Sequence, residues 1–400
     1  MSYLGRVRPG ICCKLFSSRT ANRVMKDQSI PELQRVPLDE VCLSILAGRL
    51  SSNCLDFLSQ APQPPSEESV NKALLLLKEV GAIEMDNNDS TFDIRKIDKL
   101  TPLGYHLAKL PVHVKVGKML IFGCLFHCLD KVLTIAATLS SKSPFSNHID
   151  NASQASAAHR TFLHPNSDFL TLCNVWEAYR NATEEGNAHA RNFCSKKYLN
   201  RNALLEINDA RRQFLDLLRQ IGFVKSENKV ITTDTLHKST YNKNSKHENL
   251  LNAVICAGFY PNIAHVDHEN AGGPILWHRK ERVYFHSSSV NHNKKELASD
   301  WILFHEKFAT SRVFVSVTSV IKPFSLLLFG GNITVKHVER KVLVDDWIEL
   351  GTAAKTGVMF RQLRQELSVL LKNQINNCGD GNRLEADKII NIIVDIFSNE

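Results

Sequence analysis

From Leu100 onwards the hydrophobic positions fall three and four residues apart, the spacing of helices with one buried face. Thr101 is a good N-cap, and Pro102 suits the first helical turn, where its missing N–H costs nothing. Leu103, Leu107 and Leu110 follow at helical spacing. Pro111 stops this helix and starts another carrying Val114, Met119, Leu120 and Ile121. Further helices are predicted for Asp130 to Leu139, for Leu170 to Tyr179 (Leu172, Trp176 and Tyr179 on one face) and for Asn200 to Ile221. Residues 146–166 are rich in Ser, Ala and His and predict a mobile connection.

Upstream, Asp39 and Glu40 open a helix with Val41, Ile45 and Leu46 as its apolar face. Ser66 caps a second helix, buried through Leu74, Leu75, Leu77 and Val80 and ended by Gly81. Two short strands, Ala82 to Met85 and Ile97 to Leu100, flank the polar loop Asp86 to Ser90. Helix, helix and small hairpin outline a winged helix. The run Ile11 to Phe16 is strand-like but has no sequence neighbour to pair with, so it reads as the edge of a larger domain.

After a polar, linker-like stretch at 225–247 and an apolar helix at Leu250 to Ala257, the period shortens to that of strands. Ile275 to His278, Arg282 to Phe285, Trp301 to Lys307, Val313 to Val317 and Ser325 to Phe329 predict a five-stranded barrel of the OB type. Met359 to Leu371 and Leu384 to Phe397 close the chain as amphipathic helices.

The 43% hydrophobic and 22% charged content are those of a globular protein, and no apolar run approaches the roughly 18 residues of a membrane span. Met1 to Gly10 lacks the apolar core of a signal peptide, and the ten cysteines sit mostly in apolar segments, as reduced buried thiols do. These features point to a cytoplasmic protein, with a nuclear one the alternative. The net charge of +8 admits a polyanionic partner, although solvated lysines alone give the same balance.

Gly117-Lys118 is no phosphate loop: Val112 stands where the first Gly is needed and Met119 where Ser or Thr is needed. Asp39-Glu40 follows Pro37 and opens a helix instead of ending a strand, so no acidic metal box is predicted. Cys124, His127 and Cys128 share one helix and cannot surround a tetrahedral metal without a distant fourth ligand, so core packing is expected and no metal site. In the barrel region, Arg279, Lys280, Arg282, Lys294, Lys295, Lys307 and Arg312 interleave with Trp277, Tyr284, Phe285 and Phe304. A single-strand groove needs this mixture of cations for phosphates and rings for bases, and an ordinary barrel with solvated lysines shows it too.

The order of these pieces resembles the C-terminal half of DEAH-box RNA helicases of superfamily 2. Gly5 to Cys12 resembles the stretch closing the family's second RecA-like lobe, and Ile30 to Arg35 its E-I-x-R segment. Leu100 to Gly104, Leu110-Pro111 and Lys118 to Leu120 are similar to the start of its helical ratchet (HA2) domain. Asp168 to Tyr179 resembles its D-H-L-T-x-L-N-x-Y helix, with Phe169 in place of His; Asn192 to Cys194 and Leu199-Asn200 echo a later run. His286 to Val290 is similar to the barrel's H-P-S-S loop, with Ser287 where Pro is usual, and Phe304 to Lys307 and Thr310 to Arg312 follow its next strand. Lys322 to Phe324 and Phe329 to Gly331 are most similar to the translation-initiation branch associated with the small ribosomal subunit.

The resemblance implies a multi-domain, mainly α fold with a small β-barrel. Its expected parts are a remnant of the RecA-like lobe (1–38), a winged helix (39–100), the ratchet (101–224), a linker (225–249), an OB-fold (250–350) and C-terminal helices (351–400). The family hydrolyses ATP with Mg²⁺, but these 400 residues lack the P-loop and D-E-A-H box. Of the arginine motif only Gly5 and Arg6 match, so no catalytic site is complete, no cofactor is expected in this chain and it should be inactive alone. Two functions stay open: guiding single-stranded RNA for a helicase, or a scaffold that docks an activator or the small ribosomal subunit; neither involves a membrane. On the RNA reading, His286, Ser288, Ser289, Asn291, Lys307, Thr310, Ser311 and Arg312 form the RNA-facing edge.

Overall fold

The computed structural model describes residues 13, 15–25, 30–85, 97–146, 151–225, 231–268, 273–375 and 381–400. Arg6, most of the Ile11 to Phe16 run and the loop Asp86 to Ser90 lie outside these residues. The chain enters through two short helices, α1 (Ser18–Arg23) and α2 (Glu32–Arg35), neither of which buries a residue.

The winged-helix segment comprises α3 (Asp39–Ala47), α4 (Cys54–Ser59), α5 (Glu67–Val80) and the antiparallel pair β1 (Ile83–Met85) and β2 (Ile97–Leu100). Ser66 caps α5 by accepting the Ser69 N–H, and Gly81 ends it at φ +81°, a left-handed conformation that favours glycine. The fully buried side of α3 is Asp39, Cys42, Leu43 and Ile45, while the expected Val41 and Leu46 are half-buried against the same core, and Leu75 of α5 is exposed. The buried stripe of α3 is thus turned slightly from the expected one, where α3 packs on α5.

The ratchet segment starts as its sequence dictates: Thr101 accepts the Gly104 N–H and Pro102 is the first residue of α6 (Pro102–Leu107). It continues through α7 (Val114–Leu125), α8 (Leu129–Leu139), α9 (Ala152–Arg160), α10 (Asp168–Glu184), α11 (Asn187–Lys196) and α12 (Arg201–Gln220). Helix α9 replaces much of the mobile connection expected at 146–166: Ala155 is buried beneath it, and His159 Nε2 lies 3.0 Å from the Tyr198 carbonyl. Residues 231–247 also pack, with Leu236 fully buried and Asn244 Nδ2 donating to the Phe126 carbonyl at 3.0 Å.

Helix α13 (Glu248–Phe259) crosses α7 closely; a Cβ on Gly258 would lie 2.7 Å from Met119 Cβ and 2.9 Å from the Lys115 carbonyl. Then β3 (Ile263–Asp267), β4 (Ile275–His278), β5 (Glu281–Phe285), β6 (Trp301–Ala309) and β7 (Val313–Ile321) close a barrel in the order β3-β4-β5-β7-β6. Ile302, Phe304 and Val320 point into the barrel's own core, while Trp301, Leu303 and Ile321 join the core shared with the helices. Alternation along two strands therefore fixes how the barrel sits on the ratchet. The fifth strand is β3, not Ser325 to Phe329, which forms helix α14 (Pro323–Phe329) with Pro323 in its first turn.

A three-stranded sheet of β8 (Ile333–Lys336), β9 (Lys341–Val344) and β10 (Ile348–Leu350) lies outside the barrel, followed by α15 (Ala354–Ile375) and α16 (Gly381–Ser398). Arg364 of α15 donates to the carbonyls of Leu326, Leu327 and Gly331, satisfying the end of α14. No helix among the described residues is long and apolar enough to cross a membrane.

Candidate nucleic-acid interface

The barrel's β5 alternates: Val283 and Phe285 point into the core, Arg282 and Tyr284 away from it. Strand β7 runs parallel to β5 with Phe314 opposite Tyr284, and the β6–β7 hairpin sets Phe308 opposite Phe314. The register thus lays Phe308, Phe314 and Tyr284 in a row across three strands, adjacent ring centres 6.2 Å apart. His286, just beyond β5, extends the row, its ring 5.4 Å from Phe308 and 6.3 Å from Phe314. All four rings are half-buried.

Cations flank this row. The Arg282 and Arg312 guanidinium carbons lie 5.0 and 4.9 Å from the Tyr284 ring centre. Both side chains are exposed, and among the described residues neither has a carboxylate partner. Lys307 is different: its ammonium pairs with Glu281 at 3.0 Å. At the hairpin tip the Thr310 N–H donates to the Arg312 carbonyl, and the Thr310 and Ser311 side chains are exposed.

The structure therefore brings His286, Ser288, Thr310, Ser311 and Arg312 to one edge. Ser288 is exposed and its hydroxyl lies 2.7 Å from His286 Nδ1. Ser289 and Asn291 face inward. The Ser289 hydroxyl lies 2.7 Å from Thr318 Oγ1, and fully buried Asn291 donates to the same oxygen at 2.8 Å. Their polar groups hold the loop's shape, a role that only their partner 27 to 29 residues onward reveals.

The other wall of this edge was not legible in sequence. Between the serine loop and α9 runs a groove of about 820 Å³, lined by His159, Arg160, Ser287, Ser288, His292 and Asn293 with Asp168 and Thr171 below. Arg160 and His292 are exposed there. Phe308 and Phe314 were missed as well, although their symmetrical placement about Ser311, three residues to either side, is the signal of a hairpin that pairs them. Cys124 and Cys128 lie in the helical core, where burial raises both thiols, Cys128 to about 12, and keeps them protonated and poor ligands.

Four domain families match in chain order. They are the winged-helix part of the helicase associated domain (HA2) at residues 73–112 and its ratchet-like part at 113–172, then the oligonucleotide/oligosaccharide-binding (OB)-fold at 251–333 and the C-terminal domain in RNA helicases at 340–399. The chain is similar to "ATP-dependent RNA helicase dhx29" of Xenopus laevis, 37% identical across 99% of the chain and 28% of the relative. It is 36% identical to human "ATP-dependent RNA helicase DHX29" with the same coverages. Human "ATP-dependent DNA/RNA helicase DHX36" is 34% identical over 93% of the chain and 36% of that protein. The chain thus spans between a quarter and two-fifths of the length of these relatives.

Proposed function

The chain belongs to the DEAH-box RNA helicases as their C-terminal, helicase-associated region, and from that premise we propose that it binds and guides single-stranded RNA along the edge of its barrel. The observation that carries this reading is the row of Tyr284, Phe314, Phe308 and His286 flanked by the guanidiniums of Arg282 and Arg312, which have no carboxylate partner among the described residues. Bases stack on half-exposed rings whatever their identity, and guanidiniums take phosphate oxygens in pairs of hydrogen bonds. The exposed hydroxyls of Ser287, Ser288, Thr310 and Ser311 suit phosphate and 2′-OH contacts, which likewise ask nothing of base identity.

ATP and Mg²⁺ enter this reading only through longer family members. The present sequence holds neither phosphate loop nor acidic box, so purified chain should leave ATP intact with or without RNA. The winged helix takes little part in RNA contact, because the first turns of α3 and α5 expose Glu40, Glu67 and Glu68, which repel phosphate; Asp39 beside them is buried.

The test is fluorescence anisotropy of labelled oligouridylate against the whole chain across a salt series. A backbone-tracking edge gives a log affinity that falls linearly with log salt, at about 0.7 per phosphate contacted. Absent binding, or binding indifferent to salt, would replace this reading with a protein-docking scaffold.

A further inference from the structure

The segment Pro165 to Asp168, where the ratchet's α10 begins, is bound to the barrel at every residue. The Val320 N–H donates to the Asn166 carbonyl at 2.9 Å, and Ser167 bridges Ser319 as a one-residue strand. Lys294, from beyond the serine loop, donates to the Pro165 carbonyl and to Asn166 Oδ1. Asp168 makes the contacts that reach furthest. Its Oδ1 accepts the Val290 N–H of the serine loop at 2.8 Å, and its Oδ2 accepts the Thr318 N–H of β7 at 2.7 Å. The Thr318 hydroxyl in turn receives Asn291 and meets Ser289. One carboxylate thus ties both the loop and the strand behind it to the first turn of a ratchet helix, 122 and 150 residues away in sequence.

Helix capping does not require this arrangement, since Ser167 already caps α10 by accepting the Leu170 N–H. Asp168 is mostly buried, and burial opposes its ionisation while the donated N–H groups favour it. A buried carboxylate facing two backbone donors from another domain is a costly arrangement unless it is well satisfied, and here it is. It lies at the floor of the groove whose rim is Ser287 and Ser288.

We propose that Asp168 is the positioning residue of the RNA edge: through Val290 and Thr318 it sets the shape of the serine loop and makes that loop move with the ratchet. This rests on the RNA reading above, and it adds a division of labour. Ser287, Ser288 and His286 face the ligand; Ser289, Asn291 and Thr318 form the inner layer; Asp168 anchors that layer to another domain. Charge contacts with phosphate belong to the arginines, so loosening the loop should lower affinity without changing how many counterions are released.

The experiment uses the full chain and labelled oligouridylate. Asp168→Asn places an amide where one backbone donor needs an acceptor. Amide exchange at Val290 and Thr318 should accelerate, and affinity should fall about fivefold to tenfold with the salt slope unchanged. Asp168→Glu, which keeps the carboxylate, should recover part of the loss. Should Asp168→Asn fail to fold, Ser289→Ala loosens the same loop from the barrel side and should show the same loss at the same slope. Wild-type affinity in a folded Asp168→Asn protein, or unchanged protection of Val290 and Thr318, would overturn the proposal. Failure of the wild-type chain to bind RNA would remove the RNA reading instead, and the exchange measurement would still decide whether Asp168 fixes the loop.

Discussion

Arg211 in the ratchet and Arg312 on the barrel each hold a guanidinium 4.9 Å from an aromatic ring centre, over Trp176 and Tyr284 respectively. The two sites are otherwise opposite. Arg211 is 1% exposed, and its Nη2 lies 2.6 Å from Asp130 Oδ1 while Nη1 donates to the Asp130 carbonyl and the Thr134 hydroxyl. Arg180 approaches the other Asp130 oxygen at 3.3 Å. Arg312 is exposed, and no carboxylate among the described residues pairs with it. A cation over a ring is therefore no sign of ligand binding by itself. What separates a structural arginine from one available to RNA is whether its terminal nitrogens already have acceptors: both Nη atoms of Arg211 do, and only its Nε has none among the described residues.

The contrast breaks most sharply under substitution by leucine. Arg211→Leu leaves Asp130 buried with only Arg180 and should cost about 3–5 kcal/mol of stability. Arg312→Leu should stay within about 0.5 kcal/mol, as surface changes usually do, while weakening RNA binding. Urea unfolding followed by circular dichroism reads both, and similar losses at the two positions would erase the distinction.

Lys118 supplies a third use of a cation, buried with no carboxylate partner among the described residues. Its ammonium donates to the Val80 carbonyl at 2.7 Å, tying the ratchet's α7 to the end of α5. Burial lowers its pKa to about 8. The sign follows from which state holds the proton. Between about 8 and the ordinary lysine value the unfolded chain is protonated and the folded chain is not, so stability should rise with pH across that window. Below it the burial penalty is fully present, roughly 3 kcal/mol. Lys118→Met should flatten that part of the stability–pH profile; a profile of unchanged slope would show that Lys118 is solvated.

Much of the fold was legible because its signals are local. Thr101-Pro102, and Ser66 with Gly81, set their helix ends through contacts within a few residues. Ser325 to Phe329 misled because a short continuous apolar run has no period; Pro323 ahead of it was the available cue to a helix. At the candidate site, residue types and neighbourhood were readable, but the direction of each side chain was not. Ser288 and Ser289 are adjacent and chemically identical, yet one meets solvent and the other Thr318. The element that decides between them, Asp168, lies 122 residues from the loop it holds, beyond any local pattern.

Arg282 and Arg312 together sharpen the barrel side of the comparison. Replacing both by Ala should lower single-stranded RNA affinity about tenfold and reduce the salt slope by about 1.4, two contacts at 0.7 each. The loss should be similar across sequences, because guanidinium–phosphate contacts carry no base identity. A loss confined to one sequence would mean that the arginines read base edges instead.

Lys307 gives the smallest and most discriminating effect. It precedes Phe308 and lies opposite Val315 in register, on the alternate face of β6 from the ring row, and its ammonium is held at 3.0 Å by Glu281, which opens the strand carrying Arg282 and Tyr284. Both partners are about half exposed, so the pair contributes well under 1 kcal/mol to stability and can exchange for a phosphate. RNA must nonetheless displace Glu281 to recruit Lys307, and that carboxylate also repels the incoming strand. Lys307→Ala should therefore reduce affinity by less than Arg312→Ala does. Glu281→Gln should act in the opposite direction, raising affinity about twofold to threefold and steepening the salt slope by up to about 0.7, because it frees one cation and removes one anion. Should Glu281→Gln weaken RNA binding, the ion pair would be holding Lys307 in place for its contact, and Lys307 would belong with Arg211 among the cations whose geometry depends on a carboxylate.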